Sequence, residues 1–441
     1  MRFPARPPAP PDFASITQLS AVLSHISPTL PDGRYLHWHE LRWRSAPAGL
    51  TKEQWWYAVK LGRLGSRVSV PGLTDEQGHP FWFCRHDTIE RATHELDRRD
   101  ATREMIAALG DEGARQAYQI DQLIEEAISS SILEGAKVTT RAEAKQIIRD
   151  GQRPEGHGER MVVNNYNAMR RLLAMAGRDL TLSDLLEIHA VLGEDALDVA
   201  DAAGRLRGAT DLVRVEDAVS GDIWFTPAPA EELPGRLQLL LELANATDQQ
   251  PFIHPLLRAI ILHFWLAYLH PFVDGNGRMA RALFYWQMLR AGYDFAQYLS
   301  ISGPIERSRR AYYLAFAFTE TDGGDLTYFL LHQLSVLRRA TAELIEHLRE
   351  RSARMRELTS AVKGTETLNH RQRAALLFSI RNPHQGLTVN GHMRSHDISY
   401  LTARKDLQQL ESQSYLRRVR VGRGDRYLPL DSLSHLGKGS K

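Results

Sequence analysis

Residues 270 to 281 read His-Pro-Phe-Val-Asp-Gly-Asn-Gly-Arg-Met-Ala-Arg, a stretch dense in groups that can act on a phosphate. Glycines that open a helix let backbone N–H groups approach an anion closely, and the helix N-terminus adds partial positive charge. Gly275, Asn276 and Gly277 stand at such a place, so the loop reads as a phosphate site. Arg278 and Arg281 are three apart, hence on one face of the following helix near its start, where their forks can hold further phosphate oxygens. Two or more phosphates are expected. Asp274 supplies a hard oxygen ligand suited to Mg²⁺ (or Mn²⁺), a type of ion that keeps waters and binds through one or two carboxylates plus substrate phosphates. His270, at the mouth of the loop, titrates near neutral pH and can take a proton from an attacking hydroxyl.

Each feature alone more often has a plainer origin: a histidine capping a helix, a turn, a solvated pair of arginines. Together they put a base, a metal ligand, an anion nest and two guanidinium groups within twelve residues, a density that ordinary turns have no reason to contain.

The twelve residues resemble the signature of the Fic family, His-x-Phe-x-Asp/Glu-Gly-Asn-Gly-Arg-x-x-Arg, at every specified position. The resemblance covers roughly residues 119–335, about half the chain. It implies a helical core with a β-hairpin flap, and an enzyme that moves AMP from ATP to a Ser, Thr or Tyr hydroxyl on a target protein, itself included. By that likeness His270 would be the general base and Asp274 would hold Mg²⁺. The Gly275-Asn276-Gly277 backbone with the Asn276 side chain would form the anion hole, and Arg278 and Arg281 would meet the ATP phosphates. Such transfer needs positioning and charge neutralisation more than covalent help.

A second element, Ser130-Ser131-Ile132-Leu133-Glu134-Gly135, resembles the family's inhibitory pattern Ser/Thr-x-x-x-Glu-Gly/Asn. It ends an amphipathic helix N-terminal to the loop, where class II members carry it. A carboxylate paired with Arg281 would occupy the guanidinium meant for the γ-phosphate, and ATP could bind only unproductively. The plainer alternatives are a solvated helix-end carboxylate at Glu134 and a packing or capping role for Ser130.

Other functions stay open. One is a transcription regulator whose Fic-like region only senses nucleotide, although a sensor has no need of a base beside the phosphates. Others are UMP or phosphate transfer, or removal of AMP with Glu134 positioning water, because the loop reads phosphates rather than the base. His189, His254 and His263 lie in apolar helical sequence and read as core residues. A metal gathered by His263, His270 and Asp274, as in a hydrolase, has no ligand spacing behind it.

The elements that must position these groups read as mainly α. Ile120, Leu123, Ile124, Ala127 and Ile128 repeat at helical spacing, and Gly135 is a plausible stop. Thr140 with Glu143, and Thr181 with Asp184, are capping-box signals for the next helices. Leu212 to Phe225, with the turn Ser220-Gly221-Asp222 and with Pro227 and Pro229 after it, reads as a short hairpin where the family has its target-docking flap. Just before it, Gly204-Arg205-Leu206-Arg207 also resembles the family and takes no catalytic part in this reading. An apolar run from Pro255 to Leu269 and another from Arg278 to Gly292 make helix, glycine-rich loop, helix.

The last unit reads as helices at Arg371–Ile380, Thr388–Met393 and Ile398–Leu410, then a hairpin around Gly422-Arg423-Gly424-Asp425. It resembles a winged helix-turn-helix, with Arg404, Lys405 and Arg423 as candidate DNA-phosphate contacts; such modules also dock proteins or form homodimers. The organisation expected is a Pro-rich tail at 1–30, an accessory domain at 31–115, and the catalytic domain with its inhibitory helix at 116–345. A helical linker at 346–367, a winged helix at 368–432 and a tail at 433–441 complete it. A net charge of +2 over 441 residues sets no field that demands nucleic acid or membrane, one cysteine forbids an internal disulfide, and no long apolar run offers a membrane span. A cytoplasmic setting fits this composition.

Overall fold

The computed structural model describes residues 3–12, 15–98, 106, 112–138, 140–197, 199, 201–216, 221, 223–365, 367–381, 386–421 and 424–430. These are mainly helical, with three two-stranded sheets. Contacts divide the chain into two compact units, Met1–Arg98 with Gln122–Ala340, and Arg99–Asp121 with Thr341–Lys441. Among the described residues no helix is long and apolar enough to cross a membrane.

The first unit is built on two buried helices, Pro255–Leu269 and Asn276–Arg290, which pack against each other. Pro255 opens the former at the position where its missing N–H costs nothing. From Leu256 to Leu269 nearly every residue is buried, which is why the sequence is apolar all round rather than striped. Trp265 and Trp286 are wholly enclosed. Burial of such side chains, roughly 1.5–3 kcal/mol each, makes this pair the rigid base on which the loop between them stands.

Residues 31–98, read above as part of a separate accessory domain, lie in the same unit as the loop. A hairpin accounts for this: Arg67–Thr74 pairs antiparallel with Pro80–Cys84. The Trp82 N–H donates to Gly324 O at 3.0 Å, the Leu326 N–H donates to Trp82 O at 2.8 Å, and the Trp82 indole donates to Gly323 O at 2.8 Å. The strand is thereby sewn to the start of the helix Thr327–Gly364. Arg63, wholly buried, reinforces the joint between the Tyr35 ring at 3.6 Å, the Tyr328 hydroxyl at 2.5 Å and the carboxylates of Asp322 and Asp325.

The helix Glu112–Leu133 carries the second motif at its end and is moored at Glu126. Buried Glu126 accepts from Ser300 Oγ at 2.9 Å, Ser302 N at 2.9 Å and Ser302 Oγ at 2.5 Å. Gly135, at φ +91°, stops it, and the Ala136 N–H returns to Ser131 O at 2.9 Å. Thr140 caps the helix Arg141–Asp150 by accepting from Glu143 N, but the Glu143 carboxylate bonds the Thr140 hydroxyl rather than its backbone, so that box is half-formed. At Thr181 both arms are present.

The second small sheet is shorter than the sequence suggested. Val215–Glu216 pairs with Ile223–Phe225, Val215 facing Phe225. Continuing that register would set Val213 opposite Pro227, which has no N–H for a ladder, so Leu212 and Val213 stay unpaired and Leu212 is 87% exposed. Ser220 and Asp222 of the expected turn lie outside the described residues.

The second unit holds helices His370–Arg381, Val389–His396 and Tyr400–Ser412 and the hairpin Leu416–Val421 with Gly424–Pro429. Leu376, Leu407, Leu410, Leu416 and Tyr427 form its core.

One close approach bears on the end of the helix Glu112–Leu133. A methyl on Gly158, in the first turn of the helix His157–Ala174, would stand 2.1 Å from Lys137 O, just past Gly135. Gly158→Ala should cost about 1–3 kcal/mol by forcing that backbone apart, read as a lowered thermal midpoint; an unchanged midpoint would contradict the packing.

Candidate functional site

His270 is the C-cap of the buried helix Pro255–Leu269 and lies in the left-handed region, φ +49°, ψ +56°. A residue with a Cβ is disfavoured there by about 1–2 kcal/mol, so neighbours must hold it. Arg207 does: its Nε donates to His270 O at 2.8 Å, its Nη2 to Ala228 O at 2.5 Å, and its backbone N–H to Pro271 O at 2.9 Å. Arg207 thus satisfies carbonyls at a helix end and fixes where the loop begins. The sequence reading passed over it, and only its place within Gly204-Arg205-Leu206-Arg207 hinted at a role.

The loop is braced from within. The Asn276 side chain accepts from Phe272 N at 3.0 Å and donates to Phe272 O at 2.9 Å. The amide thus clamps the loop with its oxygen and one of its two Nδ2 hydrogens. His189 braces the loop from below, its ring stacked on Phe272 with centroids 3.8 Å apart. It accepts from Gly204 N through Nδ1 at 3.1 Å, which leaves Nε2 to donate to Asp274 O at 2.9 Å. Burial pushes the His189 imidazolium down to about 4 against the pull of that carbonyl, so the ring is a neutral strut.

Gly275, at φ +81°, turns the chain into the helix Asn276–Arg290. Arg278 and Arg281, 0% and 1% exposed, rise from its first turns. Arg278 meets Asp274 Oδ2 at 3.1 Å through Nη2, while its Nε and Nη1 are buried and have no hydrogen-bond partner. Two unpaired N–H groups on a buried cation at a helix N-terminus are costly and are suited to receive an anion.

The end of the helix Glu112–Leu133 closes over this place. Arg281 Nε donates to Ser130 Oγ at 2.8 Å, and Nη2 donates to Ser130 O at 3.0 Å and to Glu134 Oε1 at 2.8 Å. A side chain on Gly277 would begin 2.1 Å from Glu134 Oε1, so the carboxylate rests directly on the glycine that opens the helix. Burial alone would raise the Glu134 carboxyl, but Arg281, Arg278 and His270 outweigh it and hold it below its ordinary value. Gly135 contributes the turn that ends the helix there.

Asp274 is half-exposed, with Oδ1 accepting from Gly275 N at 2.6 Å and Oδ2 facing Arg278. Among the described residues no group of three His, Cys, Asp or Glu could hold a metal, and His263 bonds Tyr312 instead, so the hydrolase-like trio does not form. A single open carboxylate suits an ion carried mostly by water and substrate phosphate. Arg404 and Lys405 are exposed on the second unit's helix Tyr400–Ser412, and Arg423 lies outside the described residues.

His270 Nδ1 donates to Ala267 O at 3.1 Å, so the free electron pair of the neutral ring sits on Nε2. Burial lowers the imidazolium, opposed by Ala267 O, Glu134 and Asp274 and aided by Arg207. The ring is thus in its neutral form at pH 7. NMR titration of the ring should give a midpoint below 6.5 in the wild type, and lower still in Glu134→Gly because a carboxylate that favours the cation is gone; a midpoint at or above 6.5 contradicts this.

Residues 179–288 match the Fic/DOC family model. "Protein adenylyltransferase Fic" of Drosophila melanogaster is 29% identical over 211 residues, 45% of this chain and 39% of that protein. "Protein adenylyltransferase fic-1" of Caenorhabditis elegans is 33% identical over 161 residues, 36% of this chain and 27% of that one. The chain thus spans about two fifths or less of these curated relatives. A Fic family protein from Desulfovibrio desulfuricans superposes with a TM-score of 0.49 at 23% identity, over 81% of this chain and 99% of that one. On the family match, the segment 179–288, which holds the loop His270–Arg281, is a Fic/DOC domain.

Proposed function

We propose that this chain transfers AMP from ATP to a hydroxyl on a protein, and that Glu134 holds it in check as in the class II arrangement. The observation that carries the reading is the position of the Glu134 carboxylate, against Gly277 and bound by Arg281, where a terminal phosphate of ATP would lie. The named relatives are adenylyltransferases, which supports the same reaction for this chain.

Each residue then has a part. The backbone at Gly275-Asn276-Gly277 and the unpaired N–H groups of Arg278 receive phosphate oxygens. Arg281 binds the terminal phosphate once Glu134 withdraws. Nε2 of His270 takes the proton of the incoming hydroxyl as its oxygen bonds the α-phosphorus; the bond to the bridging oxygen breaks and pyrophosphate leaves. Mg²⁺ (or Mn²⁺) held by Asp274 with phosphate oxygens would neutralise charge on the leaving group. With Glu134 in place, a second negative charge at about 4 Å costs on the order of 4 kcal/mol at an effective dielectric of 20, nearly a thousandfold in productive binding. The hairpin Val215–Phe225 lies in sequence where a target's extended backbone could add a strand.

Intact mass after incubation with Mg²⁺ and each nucleotide in turn tests this. Little self-labelling is expected for wild type, strong addition of AMP for Glu134→Gly, and none for Glu134→Gly/His270→Ala. Glu134→Gly protein that binds ATP yet never labels itself or any lysate protein would favour a nucleotide sensor, and a UMP or phosphate adduct would change the reaction but not the site.

The second unit supports a distinct reading as a winged helix that binds duplex DNA. Arg404 and Lys405 are exposed on one helix beside Leu401, 75% exposed, although in the hairpin Arg418 and Arg420 are partly neutralised by Asp425 at 3.6 and 3.5 Å. Binding should weaken with salt, and Arg404→Ala should lower the slope of log affinity against log salt by about 1. No binding at low salt would remove the DNA reading.

A further inference from the structure

The hairpin beside His270 carries two adjacent aromatic residues with different neighbours. Phe225 seats the strand Ile223–Phe225 on the buried Tyr268 ring, centroids 4.9 Å apart, two residues before His270. Successive side chains on a strand point to opposite faces, so Trp224 is turned away from that seat. There it meets Phe3, edge to face, with centroids 5.6 Å apart at 88°. Arg207 fastens the end of the same hairpin to the loop, donating to Ala228 O and to His270 O. A segment that rests on Trp224 is thus carried by a piece of chain tied to His270.

Residues 3–8 read Phe-Pro-Ala-Arg-Pro-Pro and form neither helix nor strand. Prolines fix φ and cannot donate, so such a stretch stays extended and has little freedom to lose when it docks. Pro4 is buried, the Ala5 N–H donates to His39 Nδ1 at 3.0 Å, and Ala5 packs against the cluster of Leu30, Trp38 and Trp56. This anchor, two residues from Phe3, presents the ring to Trp224 at high effective concentration. The contact is nonetheless incomplete. Nε1 of Trp224 is buried and has no hydrogen-bond acceptor, so the segment covers the indole without satisfying its N–H. A bound chain that set a carbonyl there would gain what Phe3 leaves unmet.

We propose that Trp224 is a docking site for an extended segment of the target protein bearing an aromatic residue followed by proline, and that Phe3-Pro4 of this chain fills it until a target displaces them. An aromatic surface that takes a preformed, proline-rich chain is an established mode of peptide recognition, and here the occupant is seated in the structure. The proposal rests on the transferase reading for the use to which docking is put. Occupancy of Trp224 by Phe3 needs no nucleotide and stands apart from Glu134.

The test titrates full-length wild type, Phe3→Ala and Phe3→Ala/Trp224→Ala calorimetrically with the end-blocked peptide Phe-Pro-Ala-Arg-Pro-Pro, after thermal melts that confirm the fold of each. An aromatic pair of this kind shifts an equilibrium by up to about tenfold, so the peptide should bind Phe3→Ala roughly tenfold tighter than wild type. Binding should be lost when Trp224 is also replaced. In Glu134→Gly protein, adding Phe3→Ala should raise AMP transfer to lysate proteins at limiting target, the free peptide should suppress that gain, and the KM for ATP should stay within twofold. Equal peptide affinity for wild type and Phe3→Ala, or binding that survives the loss of Trp224, would overturn the site. Peptide binding that leaves transfer unchanged would overturn its part in target recognition. Absence of any transfer by Glu134→Gly would remove the transferase reading and the target's role with it, while the titration alone would decide whether Phe3 occupies Trp224.

Discussion

One guanidinium faces two claimants. Arg281 is buried, carries a charge that must be matched, and points at the opening of a helix whose first residues are built for anions. In this structure the match is Glu134, 2.8 Å away, with Ser130 beside it. Removing one partner of a buried ion pair costs far more than an exposed pair is worth, because the other charge is stranded. A carboxylate and a phosphate can each satisfy Arg281, but not both at once beside Gly277, and the proposed control of this chain follows from that exclusion.

The exclusion works only because the loop cannot yield. Asn276 pins Phe272, His189 carries the stacked Phe272 ring and the Asp274 carbonyl, and Arg207 caps the helix end where His270 takes its left-handed turn. These groups are buried, and His189 is neutral, so none brings negative charge to compete with a phosphate. The helix bearing Glu134 is held by a buried carboxylate on two serines, which sets the reach of its last turn without occupying the site.

The layout of the loop was legible because it is local: histidine, aspartate, glycines and arginines fall within one turn and the start of one helix, and spacing alone places them together. Glu134 was legible only through its resemblance to a short pattern, since the pairing with Arg281 joins residues far apart in sequence. Arg207 and His189 were not found. Each acts through a contact made by the fold, and an arginine after a glycine or a histidine in an apolar helix looks the same whether it braces a site or merely packs. The clamp that Asn276 makes on Phe272 was hidden for a related reason: the motif gives its position, but the direction of its amide depends on the conformation of the loop. The hairpin Arg67–Cys84 was missed because Pro71 and Gly72 interrupt the alternation of its first strand, and the second hairpin was overlong because Pro227 was not set against Val213 in register.

Where the phosphates lie is the most direct test. In a crystal of Glu134→Gly protein with a non-hydrolysable ATP analogue and Mg²⁺, phosphate oxygens should stand about 3 Å from Arg278 Nε and Nη1, from Arg281 and from the backbone N–H of Gly277. Density for the nucleotide elsewhere, or a helix start still bare with both Arg278 groups unpaired, would contradict the account.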